Sequence, residues 1–194
     1  TTCPLVRKAH AAALALRDDG YHVLVVGKRD HVEVRGLTGD LHAFDILETL
    51  ADVRTYPATR LGLIAQTTML AADFAAFRAA VAHRNSQAEL RCVDTICQPT
   101  KDRQIALAQR LDQIDLAVVV GGRHSNHTRQ LVATCLDRGI PAYHIESADE
   151  LRPAWFAGVH AVGLTAGTST LAETIEDVHA RLIAIAVQQF RTAG

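Results

Sequence analysis

Two cysteines, Cys3 in "TTCPLVRKAH" and Cys97 in "DTICQPTKDRQ", each stand just before a helical pattern. A thiol at such a turn faces the positive end of a helix and suits metal binding. Two thiols do not complete an iron–sulfur cluster, which takes three or four protein ligands. His31 and Glu33, in "DHVEVRG", lie one residue apart beyond an apolar run. Read as an extended loop, that spacing puts both side chains on one face, where a carboxylate and an imidazole near an anion relay protons. Three further loops are crowded with small polar groups: "GGRHSNHTRQL" with Ser125, Asn126 and His127, "LTAGTST" with Ser169, and "AQTTML" with Thr67. Hydroxyls and free backbone N–H groups at helix starts favour an anion. Together the three loops would converge on one phosphate-like group, although ordinary N-capping by Ser and Thr explains any single one. Cys92, inside a strand run, and Cys135, on an apolar helix face, read as core residues.

The elements that must position these residues alternate. Apolar runs of strand length fall at 22–26, 61–65, 89–93, 116–120, 141–145 and 160–164, and helical patterns at 4–17, 41–50, 71–83, 100–111, 126–136 and 169–189. Such alternation implies an α/β fold with parallel sheets and crossover helices, whose ligands bind beyond the carboxyl ends of the strands. The halves also match. Cys3 and Cys97, Gly27 and Gly121, and His31 and Ser125 are each 94 residues apart. Three landmarks at one shift indicate two similar Rossmann-like αβα units. The polar stretch "HRNSQAE" is the expected boundary, giving units 1–86 and 87–194. A strand, "ELRCVD", precedes Cys97, whereas only two threonines precede Cys3. The first unit therefore reads as lacking its opening strand, and the chain as the later part of something longer.

Composition narrows the function classes. The chain has 194 residues, 48% of them hydrophobic, and a net charge of −1 with the signs interspersed. That suits packed globular units and gives no electrostatic footprint for nucleic acid or a membrane surface. No apolar run approaches the roughly 20 residues needed to span a bilayer. Four cysteines without a disulfide-like spacing point to a reducing, cytoplasmic setting. Neither GxGxxG nor GxxxxGK[ST] occurs, which leaves a nucleotide-binding protein without its phosphate loop.

In their order, "TCPLVRKAH", "HVEVRG", "AQTTM", "DTICQPTKDRQ", "VVGGRHSNHTRQL" and "GLTAGTST" resemble the 4-hydroxy-3-methylbut-2-enyl diphosphate reductases, the LytB-type enzymes of the methylerythritol phosphate route to isoprenoids. The resemblance covers nearly the whole chain. It implies a fold of three similar α/β units around a central [4Fe-4S] cluster, each unit giving one cysteine, of which the second and third are present here. It also implies a two-electron reductive dehydroxylation that yields isopentenyl and dimethylallyl diphosphate, with ferredoxin or flavodoxin as electron donor. By motif position, Cys3 and Cys97 match two of the three cluster ligands. Glu33 matches the proton-relay acid and Thr67 its hydroxyl neighbour. His31, Thr67, Ser125, Asn126 and Ser169 match the diphosphate contacts. The third cysteine would come from a missing N-terminal unit or a partner chain. The sequence departs from the family at Lys28, Asp30 and Val32, at Asn126, which takes the place of a Ser or Gly, and at His127, which takes the place of an Asn. Those departures leave open a second reading, a diphosphate-binding or regulatory relative that has lost the cluster.

Overall fold

The computed structural model describes residues 3–192 of the chain. Residues 1–2 and 193–194, at the ends of the two expected units, lie outside that range. The chain divides into two compact units, Thr1–Lys101 and Asp102–Gly194.

In the first unit, α1 (Pro4–Asp18) begins on a proline at its first turn and buries Ala9, Ala13 and Leu16 along one stripe. Gly20, at φ +80°, takes the left-handed conformation that releases the chain into β1 (His22–Val26). β1 is central and its Val23–Val26 stretch is fully buried, as expected of a parallel strand covered on both faces. Around it the sheet runs β2-β1-β3-β4, all parallel, with β2 Phe44–Leu47, β3 Arg60–Ala65 and β4 Glu89–Cys92. The short α2 (Val32–Thr38) follows β1, and α3 (Ala71–Arg84) follows β3 and buries Phe74, Phe77 and Val81.

The second unit repeats this plan with three strands, ordered β6-β5-β7: β5 Leu116–Val120, β6 Ala142–Ile145 and β7 Val162–Ala166. α5 (Asn126–Asp137) follows β5 and α6 (Ala172–Thr192) follows β7. α4 (Gln98–Ala108) carries the chain from the first unit into the second. The repeat is visible as structure. β1 and β5 stand 94 residues apart along their whole length, and so do the starts of α2 and α5.

Four sequence expectations change. The stretch 41–50 is not a helix. Its middle is β2, paired with β1 from Val23↔Phe44 to Val26↔Leu47, because an edge strand there satisfies backbone groups of β1 that a helix would leave unpaired. Residues 31–36 are not an extended loop. Val34 and Leu37 turn inward three residues apart, so the segment coils as α2 in spite of its β-branched valines. β7 starts two residues later than expected, since the Asp115 carboxylate accepts the N–H groups of His160 and Ala161, both at 2.9 Å, and holds them short of the ladder. Finally, the strand before Cys97 completes the first sheet instead of opening a second one. The division therefore falls at Lys101, later than residue 86, and the first unit has a full four-stranded sheet.

Two glycines show how tightly the helices sit. A Cβ on Gly62 of β3 would lie 2.9 Å from Leu16 Cδ1, and one on Gly163 of β7 would lie 2.6 Å from Ile114 Cδ1. Leu16 is fully buried and has little room to yield. Gly62→Ala should destabilise the chain by about 1–3 kcal/mol through overpacking. In urea denaturation the Gly62→Ala, Leu16→Ala double variant should lose less than the sum of the two single losses; strict additivity would show that the contact is not the cause.

Candidate functional site

In the first unit, the loop after β3 gathers the chemistry. Thr67 is buried, and both of its peptide groups are used. Its N–H donates to Glu33 Oε1 at 2.6 Å, and its carbonyl accepts the Cys97 N–H at 2.9 Å. The acid and the hydroxyl residue matched at sequence level are thus brought together, through the Thr67 backbone. Glu33 lies in the first turn of α2 and is 9% exposed. It can sit so close to β3 because Gly27 ends β1: a Cβ there would lie 2.8 Å from Val34 Cγ2 and 3.0 Å from Gln66 Cβ. His31 caps α2, its Nδ1 accepting the Glu33 N–H at 3.2 Å, which puts the proton of the neutral ring on Nε2.

Cys97 stands at the start of α4, its carbonyl accepting the N–H groups of Thr100 and Lys101 and its Sγ 3.0 Å from Thr100 Oγ1. Cys3 holds the same place on α1, its carbonyl accepting the Arg7 N–H, and is exposed. Cys97 lines a cavity of about 490 Å³ whose other wall includes Leu5, Lys8 and Ala9 of α1, the helix that Cys3 caps. Cys3 itself is not among the residues that line this cavity. Among the described residues no group of three or more His, Cys, Asp or Glu side chains could hold a metal ion. Cys135 is fully buried and Cys92 packs against the core beside β3, as their sequence positions suggest.

In the second unit, Ser125 caps α5, its Oγ accepting the Thr128 N–H at 3.3 Å, and Asn126 is buried in the first turn. Ser169 is exposed in the turn between β7 and α6 and does not begin a helix. The β5–α5 and β7–α6 loops press together. A Cβ on Gly121, at φ +152°, would lie 2.5 Å from Thr128 Oγ1, and one on Gly167 would lie 2.4 Å from the same atom. Two of the three hydroxyl-rich loops therefore meet here, while the Thr67 loop belongs to the first unit and meets Glu33 and Cys97.

His127 is the residue whose role the sequence did not reveal. It is 1% exposed, and its Nδ1 accepts the Thr168 N–H at 3.2 Å. Its Nε2 is buried without a hydrogen-bond partner. With Nδ1 accepting, Nε2 carries the proton and is a donor without a partner among the described residues. The available signal was spacing, because His127 lies 94 residues after Glu33. Both side chains accept a backbone N–H from the loop after the strand that pairs with the central one, Thr67 after β3 in one unit and Thr168 after β7 in the other.

Burial pushes the His127 ring down from its ordinary 6.5 to about 4, with the Arg103 charge adding to the effect. The unfolded chain, titrating near the ordinary value, binds the extra proton first as pH falls. The stabilisation is therefore complete above about pH 6.5 and is lost toward pH 4, at up to about 1.4 kcal/mol per pH unit. His127→Asn should flatten that part of the stability curve. An unchanged slope between wild type and variant would mean that the ring is not held neutral.

Comparison with known proteins places this arrangement. A family model described as LytB protein matches residues 1–183. The 4-hydroxy-3-methylbut-2-enyl diphosphate reductase of Anaeromyxobacter sp. is 38% identical over 178 residues, 91% of this chain and 62% of the relative. That of Aquifex aeolicus is 36% identical over 186 residues, 93% of this chain and 64% of the relative. The solved structure of the E-1-hydroxy-2-methyl-but-2-enyl-4-diphosphate reductase from Plasmodium falciparum superposes with a TM-score of 0.86 at 28% identity, over 92% of this chain and 57% of that one. The chain thus spans less than two thirds of the length of these relatives. Matched by the family model over nearly all its length and by these relatives over most of it, the chain belongs to the LytB family.

Proposed function

We propose that the chain carries out, as part of a larger assembly, the iron–sulfur-dependent reductive dehydroxylation of (E)-4-hydroxy-3-methylbut-2-enyl diphosphate to isopentenyl and dimethylallyl diphosphate. The observation that carries this reading is the Thr67 peptide, which ties the buried Glu33 carboxylate to the Cys97 turn in a member of the LytB family.

Cys3 and Cys97 would hold a [4Fe-4S] cluster together with a third cysteine from a further unit or partner chain. When bound, the cluster supplies electrons and a Lewis-acidic iron. The overall change consumes two electrons and two protons, breaks the allylic C–O bond and releases water. Glu33 is the proton source. The Thr67 N–H fixes one carboxylate oxygen, leaving the other to exchange the proton, and burial keeps the acid apart from bulk water. His31, with its proton on Nε2, Ser125, Asn126 and Ser169 bind the diphosphate, and Thr67 orients the substrate hydroxyl. His127 Nε2–H adds a donor where the family has an Asn. Ferredoxin or flavodoxin delivers the electrons. The setting is cytoplasmic, in keeping with the fact that no helix among the described residues is long and apolar enough to cross a membrane.

In the cluster-loaded assembly, Glu33→Gln should lower kcat by about 10²-fold or more and leave KM within a few fold. Undiminished turnover would remove Glu33 from the mechanism, and no product from any cluster-loaded assembly would overturn the proposed reaction. Ser125→Ala should weaken binding of inorganic diphosphate about fivefold, read by calorimetry, through loss of one hydrogen bond.

A further inference from the structure

An arginine follows the central strand of each unit, Arg29 in "VVGKRDH" and Arg123 in "VVGGRHS", 94 residues apart. Each stands in a loop that presents a candidate site residue, His31 in one unit and Ser125 in the other. A cation at that place is a natural partner for a bound anion, yet the structure engages both elsewhere. Arg29 Nη2 donates to the Ile46 carbonyl at 3.1 Å and lies 3.4 Å from Asp52 Oδ1. Arg123 Nε lies 3.5 Å from Glu146 Oε2, and its Nη2 donates to Glu150 Oε2. Asp52, Glu146 and Glu150 come from the segment that ends each edge strand, "LETLAD" (47–52) and "IESADE" (145–150), which match at a shift of 98. Both segments close on a short helical turn, Leu50–Asp52 and Ala148–Glu150.

The Arg29 and Arg123 side chains are 53% and 57% exposed, and ion pairs this open contribute little by themselves. The weight lies in the backbone groups that the same carboxylates collect. Asp52 accepts the N–H groups of Glu48 and Thr49 at 2.9 and 2.7 Å, and Glu150 accepts that of Glu146 at 2.7 Å. In the second unit the grip extends to the loop itself. Glu146 Oε1 accepts the Arg123 N–H at 2.8 Å, His144 Nε2 donates to the Gly121 carbonyl at 2.7 Å, and the Ile145 carbonyl accepts the Gly121 N–H at 2.9 Å. Two successive glycines, Gly121 and Gly122, would otherwise leave this loop many conformations. Two of the groups that hold it are carboxylates, the wrong charge for a loop that receives an anion.

We propose that Glu146 and Glu150 are positioning residues for the loop 121–125. They anchor Arg123 by its N–H and its guanidinium, and so fix Ser125 and the N–H groups after it in the conformation that receives diphosphate. Glu150 matters most, since it bonds both Arg123 and the Glu146 N–H. Asp52 holds the same place toward Arg29 in the first unit. The role rests on the proposed function, which supplies diphosphate as the ligand. Such support lets hydroxyls and backbone N–H groups bind an anion without reorganising first.

Charge and position predict opposite signs. If Glu150 acted through charge alone, Glu150→Gln would tighten diphosphate binding, by removing a negative charge and releasing Arg123. A positioning role predicts weaker binding. Inorganic diphosphate is titrated by calorimetry into the isotope-labelled chain, and NMR relaxation of the same samples before titration reads the motion of amides 121–125. Glu150→Gln should lower the affinity about fivefold and raise the mobility of those amides. Glu150→Asp supplies the group that the first unit has at Asp52, and should restore the affinity to within about twofold of wild type. Glu146→Gln, at a half-exposed side chain, should act in the same direction as Glu150→Gln, and decides the matter if the latter fails to fold. Equal or tighter binding by the Gln variants, or an unchanged loop, would overturn the positioning role while leaving the proposed function standing. A wild-type chain that binds no diphosphate would overturn the proposed anion site and this role with it, so the two failures are distinct.

Discussion

The chemistry of the first unit hangs on one peptide. Thr67 donates its N–H to Glu33 and accepts the N–H of Cys97, so an acid from the β1–α2 connection and a thiol from the β4–α4 connection are fixed to the same residue. Neither bond forms unless β3 lies between β1 and β4, and both parallel ladders enforce that order. Gly27 is the second condition. Any side chain there would drive Val34 and Gln66 apart and lift Glu33 away from the Thr67 N–H. A carboxylate buried to this degree is tolerated because it accepts a backbone hydrogen bond at the end of a sheet, where helix starts also present N–H groups.

The second unit uses the same scaffold with a different side chain at the matching position. Glu33 and His127 hold equivalent positions in the first turn of the helix after the central strand, and each accepts the N–H of a threonine, in the loop after β3 and after β7 respectively. In the first unit that position carries an acceptor that can also hold a proton. In the second it carries a neutral imidazole whose Nε2 has no partner among the described residues. One duplicated fold thus presents a carboxyl group in one unit and an imidazole in the other at the same place.

Much of this was legible in the sequence. β1 and β5 are solid runs of Val and Leu, and only buried parallel strands look so; the 94-residue shift then set the second unit from the first. Cys3 and Cys97 were marked by their place before helices, and they do cap α1 and α4. What sequence could not show was long-range. "HVEVRG" alternates like a strand but coils, because Val34 and Leu37 find a core three residues apart. "LHAFDILETL" is spaced like a helix but pairs, because β1 offers an edge. "ELRC" lies next to Cys97 in sequence and belongs to the earlier sheet in space. The Thr67 bridge and the burial of His127 depend on atoms brought together over 30 residues or more, and no motif carries that information.

The most direct test of the account is iron and acid-labile sulfide per chain after anaerobic reconstitution, with 2-mercaptoethanol present to stand in for the absent third thiolate. The account predicts matched iron and sulfide and a brown absorption in the wild type, lost in the Cys3→Ser, Cys97→Ser double variant. Equal iron and sulfide in wild type and double variant, whether bound or absent in both, would contradict it.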